Sequence, residues 1–142
     1  RRTNLVRGLI ESRIARHSRP RCTWTDMPLQ VNRYEVDHCL PWTHWNNNDL
    51  WNLLPATSRA NREKRDRLPA PALLADAHDR ILDWWDSSYL QTEHRTQFMI
   101  EAEAALPMVE DAGRPEAVFE GLQHQRRRLK QYQQIAEWLG FR

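Results

Sequence analysis

Cysteine, glycine and lysine are scarce in this chain. Two cysteines, Cys22 and Cys39, among 142 residues cannot build a disulfide framework, so a reducing, cytoplasmic setting is expected. Nor do they start a pair of Cys-x-x-Cys motifs, because Thr25 stands where a second cysteine would follow Cys22. Cys22, Cys39 and histidines such as His17 have no recognised zinc spacing, and no structural zinc is expected. No apolar run approaches the roughly 18–20 residues that cross a bilayer, and mean hydropathy is -0.83, which excludes a transmembrane helix. A signal-peptide pattern, internal repeats and low-complexity tracts are also missing. At 17.0 kDa the chain suits a single domain over residues 1–142. It begins at Arg1 and is expected to be part of a longer polypeptide. Lysine occurs only at Lys64 and Lys130, so arginine, with 19 copies, carries the positive charge.

That charge is unevenly placed. The net charge is only +2, yet residues 1–67 hold 13 basic and 7 acidic side chains, residues 68–120 hold 3 and 11, and residues 121–142 hold 5 and 1. Clustered cations favour a polyanion and carboxylates oppose one, so nucleic acid is expected to meet the first part of the chain. The basic start and tail could dock on DNA or on the rest of a larger protein. The acidic middle would face away from DNA or touch a basic partner.

The periodicity predicts an α+β, mostly helical fold. Leu5, Val6, Leu9, Ile10 and Ile14 form one stripe of a leading basic helix within residues 1–20, with Thr3 as its cap and Pro20 closing it. Arg21–Trp24 and Tyr34–His38 read as two short strands joined by a turn around Asp26, Pro28 and Asn32. Residues 39–55 have no period and read as loop. A short helix is expected from Thr57 or Ser58 to about Leu68, where Pro69 and Pro71 stop it. Residues 69–142 read as a helical region. In it Leu74, Ala77, Ile81, Trp84 and Trp85 form an apolar stripe opposite Asp76, Asp79, Asp83 and Asp86. A further helix runs from Thr92 to Leu106, and a last one from Pro115 to a cap at Gly140. In the last, Val118, Leu122, Gln125, Leu129, Tyr132, Ala136 and Leu139 suit packing against another helix.

Chemistry concentrates in three segments: Tyr34-Glu-Val-Asp-His-Cys-Leu-Pro41, Asn52-Leu-Leu-Pro55 and Asn61-Arg-Glu-Lys-Arg-Asp66. Neighbouring strand residues point to opposite sides, so Asp37 can hold a metal while His38 faces substrate. On the following helix Asn61, Lys64 and Arg65 stand at i, i+3 and i+4, which puts an amide oxygen and two cations together. A phosphodiester could lie between strand end and helix. One hard cation on the oxygens of Asp37 and Asn61, its shell completed by water and phosphate, matches Mg²⁺, with Mn²⁺ as substitute. Imidazole changes charge near neutral pH, which makes His38 the general base.

These residues resemble the HNH endonucleases, whose ββα-metal fold is a two-stranded hairpin followed by a helix gripping one metal ion. The resemblance covers roughly residues 21–68. It implies that His38 activates water, that Asp37 binds metal, that Asn52 steadies the loop and the histidine, and that Asn61 is the second metal ligand. The variant with asparagine in the last place, found in the HNH domain of the RNA-guided CRISPR nucleases, is similar in its gaps of 14 residues from His38 to Asn52 and 9 from Asn52 to Asn61. The Asn61-Arg-Glu-Lys64 segment resembles the family's Asn-x-x-Lys ending. Many small members carry four zinc-binding cysteines; this chain departs from that pattern, and Trp24, Trp42, Trp45 and Trp51 are the expected hydrophobic support instead.

The resemblance implies a metal-dependent DNA endonuclease that nicks one strand per site, leaving 5′-phosphate and 3′-hydroxyl ends. Arg59, Arg62, Lys64 and Arg65 would hold adjacent phosphates. It would serve as a module of a prokaryotic anti-phage, restriction or CRISPR-associated effector. The alternative is a nucleic-acid-binding or interaction domain that keeps the HNH shape without cutting. His44, His78, His94 and His124 fit no such pattern and read as surface histidines, with contact to DNA as the alternative for His44 in the loop after His38.

Overall fold

The computed structural model describes residues 2–141, and Arg1, at the head of the expected leading helix, lies outside them. Helix α1 (Arg2–Ala15) turns Val6 and Ile10 fully inward, with Leu5, Leu9 and Ile14 packed beside them. Thr3 falls inside this helix, which is already helical at Arg2, so it is not the cap. The helix unwinds where His17 takes a left-handed φ of 57°.

Strand β1 (Tyr34–His38) is where the pattern places it, but its partner is different. It pairs antiparallel with β2 (Leu53–Thr57), in a register that sets Asp37 opposite Leu54 and His38 opposite Leu53. Arg21–Trp24 forms no strand; only an isolated bridge joins Arg21 to Pro28. Residues 20–29 instead make a knuckle closed by Cys22 N–H to Met27 O (2.8 Å) and Leu29 N–H to Pro20 O (2.9 Å). Thr23 N–H then donates to Pro55 O at 2.9 Å, which ties the knuckle to the outer edge of β2. Pro55 cannot donate to a ladder. It is accommodated because β2 has only one strand neighbour and needs only an acceptor on its other side.

Helix α2 (Ser58–Lys64) follows β2 directly, and the Thr57 hydroxyl caps it by accepting Ala60 N–H at 3.1 Å. Hairpin and helix thus form the ββα unit, with β1, β2 and α2 as its parts. The chain then runs through β3 (Leu68–Pro69), α3 (Pro71–Asp76), α4 (His78–Trp85), a π-helical turn over Asp86–Leu90, and α5 (Arg95–Ala105). Helix α6 (Pro115–Gln133) comes next and β4 (Glu137–Trp138) ends the fold.

The last helix stops seven residues before the expected glycine. Gln134 takes the left-handed conformation (φ 54°) and its N–H closes on Lys130 O, after which β4 pairs parallel with β3. Leu68 N–H to Ala136 O and Ala70 N–H to Trp138 O, both 2.9 Å, replace the helical bonds that the sequence pattern implies. Val118, Leu122, Gln125 and Leu129 are buried as the stripe predicts, but Tyr132 and Leu139 are exposed.

One continuous apolar cluster joins the unit to the helices. Trp51, Trp85 and Trp138 are almost fully buried and Trp24 nearly so, whereas Trp45 is half-buried and Trp42 exposed. An aromatic side chain buries about 150–250 Å², so at about 25 cal/mol per Å² each ring contributes about 4–6 kcal/mol of gross stabilisation. Cys22 and Cys39 are buried free thiols in this cluster, and burial pushes the Cys39 thiol up to about 12.

The leading helix is bound to its own chain. Arg2 pairs with Glu101, Arg7 with Glu35 (3.4 Å), and Arg13 donates to Ser87 and Ser88 at 3.1 Å while lying over the Trp84 ring. Those three arginines of the basic start therefore fasten α1 to the fold.

Candidate active site

The site begins at the last two residues of β1. Beyond His38 the ladder continues one step, with Cys39 N–H donating to Asn52 O at 2.8 Å, and the chain loops out over residues 40–51 before returning as β2. Asn52 closes this loop from inside. Its carbonyl oxygen accepts Leu40 N–H (2.8 Å), and its amide donates to Leu40 O (3.1 Å) and Asn47 O (3.0 Å). The side chain is completely buried, so nothing else can satisfy those groups. Replacing Asn52 by Ala is therefore expected to destabilise the fold by about 3 kcal/mol, the cost of leaving buried backbone groups unpaired. Urea denaturation measures it, and a loss under about 1 kcal/mol would contradict this role.

Asn52 steadies the loop but does not touch His38. The residue that does is Asn48, whose Oδ1 lies 2.7 Å from His38 Nε2. A carbonyl oxygen can only accept, so Nε2 carries the proton and Nδ1 is left with its lone pair. The sequence signal for Asn48 was weak: it sits in Asn46-Asn47-Asn48-Asp49, which reads only as loop. Its neighbours are held from the helical side. Asn47 Oδ1 accepts Asp49 N–H (2.9 Å), and Leu50 N–H donates to Glu101 Oε1 on α5 (2.8 Å). An acidic residue of the middle region thus braces the loop that orients the histidine.

Asp37, His38, Trp42, Asn61 and Arg65 line one cleft of about 280 Å³, with Asp66 at its edge. His38 is half-buried, and its ring sits 5.7 Å from that of Trp42, which therefore walls the cleft rather than filling the core. Arg65 reaches the cleft because it leaves α2 with a φ of 56°. The half-buried His44 approaches Asp66 at 3.9 Å beside it.

Lys64 is not a phosphate contact. It is completely buried, its Nζ donating to His38 O (2.7 Å) and lying 3.2–3.3 Å from both oxygens of Asp37. The spacing from Asn61 implied a shared face, yet i+3 and i+4 fall on opposite sides of residue i, about 100° apart on the helix. Ala60 and Lys64 form the inward stripe of α2, and Asn61 and Arg65 the outward one. Arg59 and Arg62 are exposed, but they line a different pocket on the far side of α2.

Asp37 is also bound by Trp24, whose Nε1–H donates to Oδ2 at 2.8 Å. A carboxylate offers about four acceptor positions, so these bonds orient Asp37 without exhausting it. The donor set in the cleft, one carboxylate and one amide, consists of hard oxygens. It fits a cation that takes few protein ligands and keeps its waters, as Mg²⁺ does. No group of three or more His, Cys, Asp or Glu side chains is gathered for a metal among the described residues.

Fold and cleft together define a ββα hairpin-helix module with an imidazole, a carboxylate and an amide at its joint. Residues 22–70 match the family model described as HNH endonuclease, and the ββα unit lies within this segment. The family is one of nucleases, so nucleic acid is the substrate class it implies. A comparison with curated proteins returns no match.

Proposed function

We propose that the protein is a metal-dependent HNH endonuclease that hydrolyses phosphodiester bonds of DNA, one strand per site. The observation that carries this reading is the convergence of His38, Asp37, Asn61 and Arg65 on one cleft, with Asn48 leaving His38 Nδ1 free to accept a proton. Asp37 and Asn61 would hold the cation, Mg²⁺ or Mn²⁺, which supplies Lewis-acid neutralisation of the charge on the phosphate and the leaving oxygen. His38 Nδ1 takes a proton from water as the water oxygen bonds to phosphorus and the bond to the 3′ oxygen breaks. The leaving 3′ oxygen takes a proton from solvent, which gives 5′-phosphate and 3′-hydroxyl ends. Arg65 binds a non-bridging oxygen and contributes affinity, not sequence choice. Trp42 shields the imidazole on its outer side. On the resemblance to the RNA-guided nucleases, the module serves a prokaryotic system that attacks foreign DNA, within a larger effector.

A binding domain without cleavage is the second reading, favoured by the fact that Lys64 already compensates the charge of Asp37. Metal dependence separates the two. Supercoiled plasmid with Mg²⁺ or Mn²⁺ is expected to become nicked circles, and excess chelator to stop the reaction. Binding without conversion under any divalent cation would reject the nuclease reading.

A further inference from the structure

A second pocket is larger than the cleft. It lies across α2, between that helix and the loop over residues 25–33, with a volume of about 480 Å³, the size of a pocket for one nucleotide. Arg33, Arg59 and Arg62 line it, and among the described residues no carboxylate does. Neither Arg33 nor Arg62 makes a side-chain hydrogen bond or ion pair among the described residues. Arg59 instead sits over Phe141, its guanidinium carbon 4.3 Å from the ring centroid. Three cations in one concavity, with no ion pair among the described residues, repel each other, an arrangement relieved by a bound polyanion.

The rest of the lining suits the remainder of a nucleotide. Arg59 over the Phe141 ring places a planar cation where a base could pack, and Met27, 58% exposed, offers an apolar surface on the same pocket. Gln30 and Asn32, both exposed, bring amides that can donate to and accept from a base edge. Along α2 the outward face runs from Asn61 and Arg65 at the cleft to Arg62 and Arg59 at the pocket, so one strand could cross the helix and reach both.

We propose that this pocket holds an unpaired nucleotide of the bound strand, flanking the phosphate in the cleft, with Arg33 and Arg62 on its phosphates and Arg59 against its base. This deepens the nuclease reading and rests on it. A base stacked in a pocket has left its duplex, so the domain should prefer DNA that is single-stranded beside the cut.

Binding of fluorescent oligonucleotides, followed by anisotropy in chelator so that no cutting occurs, tests this with the whole chain. The wild type is expected to bind a single strand about tenfold more tightly than a hairpin duplex of equal length. Arg33→Ala and Arg62→Ala should each weaken single-strand binding several-fold and lower the salt slope by about one. Arg59→Ala should remove most of the preference for the single strand. Arg127→Ala, on the outer face of α6, should change none of these and controls for net charge. Thermal melting of each variant checks that it is folded. Wild-type affinity and salt slope in Arg33→Ala and Arg62→Ala would overturn the pocket while leaving the nuclease reading intact, provided the wild type nicks plasmid. Equal affinity for duplex and single strand would overturn the unpaired nucleotide. A wild type that neither binds nor cuts DNA would overturn the reading beneath both.

Discussion

Substituting His38 by Ala is expected to slow plasmid nicking about 10²–10⁴-fold, the usual contribution of a positioned general base. The fold should survive, because His38 is half-buried, ends a strand, and is not part of the apolar core. Far-UV circular dichroism and the melting temperature should stay near wild type, which separates lost chemistry from lost structure. Asn48 supplies a finer test, since its Oδ1 sets which imidazole nitrogen is protonated. In Asn48→Asp the same contact carries a negative charge and favours the doubly protonated imidazolium, which cannot accept a proton. The acid limb of the rate profile should therefore move to higher pH. Asn48→Ala should lower the rate without that displacement, because the ring loses its orientation but gains no charge. Cleavage by His38→Ala at the wild-type rate would remove His38 from the mechanism.

Three residues of the candidate cleft, Asp37, His38 and Asn61, were legible from strand alternation and helix position, and Asn52 from the resemblance to the HNH endonucleases. Asp37, His38, Asn52 and Asn61 all fall at the joint of hairpin and helix. What spacing could not show was direction. On a helix of two turns, Lys64 is three residues from the proposed ligand and still points into the core, because the hairpin lies on that side. The hairpin itself was assigned the wrong partner. Arg21–Trp24 has strand-like residues but folds as a knuckle, while Leu53–Thr57 contains a proline and still pairs, because the edge opposite β1 is taken by a single loop bond. The contact of Asn48 with His38 depends on how a twelve-residue loop closes, and that closure is decided in part by Glu101, some fifty residues away. A local pattern does not encode such a tertiary constraint.

The same distance dependence explains why the helical region is more than ballast. Glu101 is held by Gln97 (2.7 Å) and by Arg2, so α5 and the start of α1 converge on the backbone of the active-site loop. Buried tryptophans and one carboxylate from α5 stiffen the small hairpin.

Lys64 carries the other large effect. Replacing it by Met is expected to destabilise the protein by about 3–5 kcal/mol, the cost of stranding one partner of a buried ion pair. The melting temperature should fall by about 10 °C or more for a chain of this size. Asp37 would keep only the Trp24 bond, and His38 O would lose its donor at the point where the strand ends. Arg should not rescue, because a completely buried site shaped for a compact ammonium has no room for a planar fork. Removing the charge on both sides should cost less than the single change implies. In Lys64→Met combined with Asp37→Asn, much of the lost stability is expected to return, because no uncompensated charge remains. A divalent cation should also raise the melting temperature of Lys64→Met more than that of the wild type, since it would meet a carboxylate no longer neutralised from within. Strictly additive single and double variants would show that Lys64 and Asp37 do not act as a pair, and that the ammonium is a packed side chain without an electrostatic part in the site.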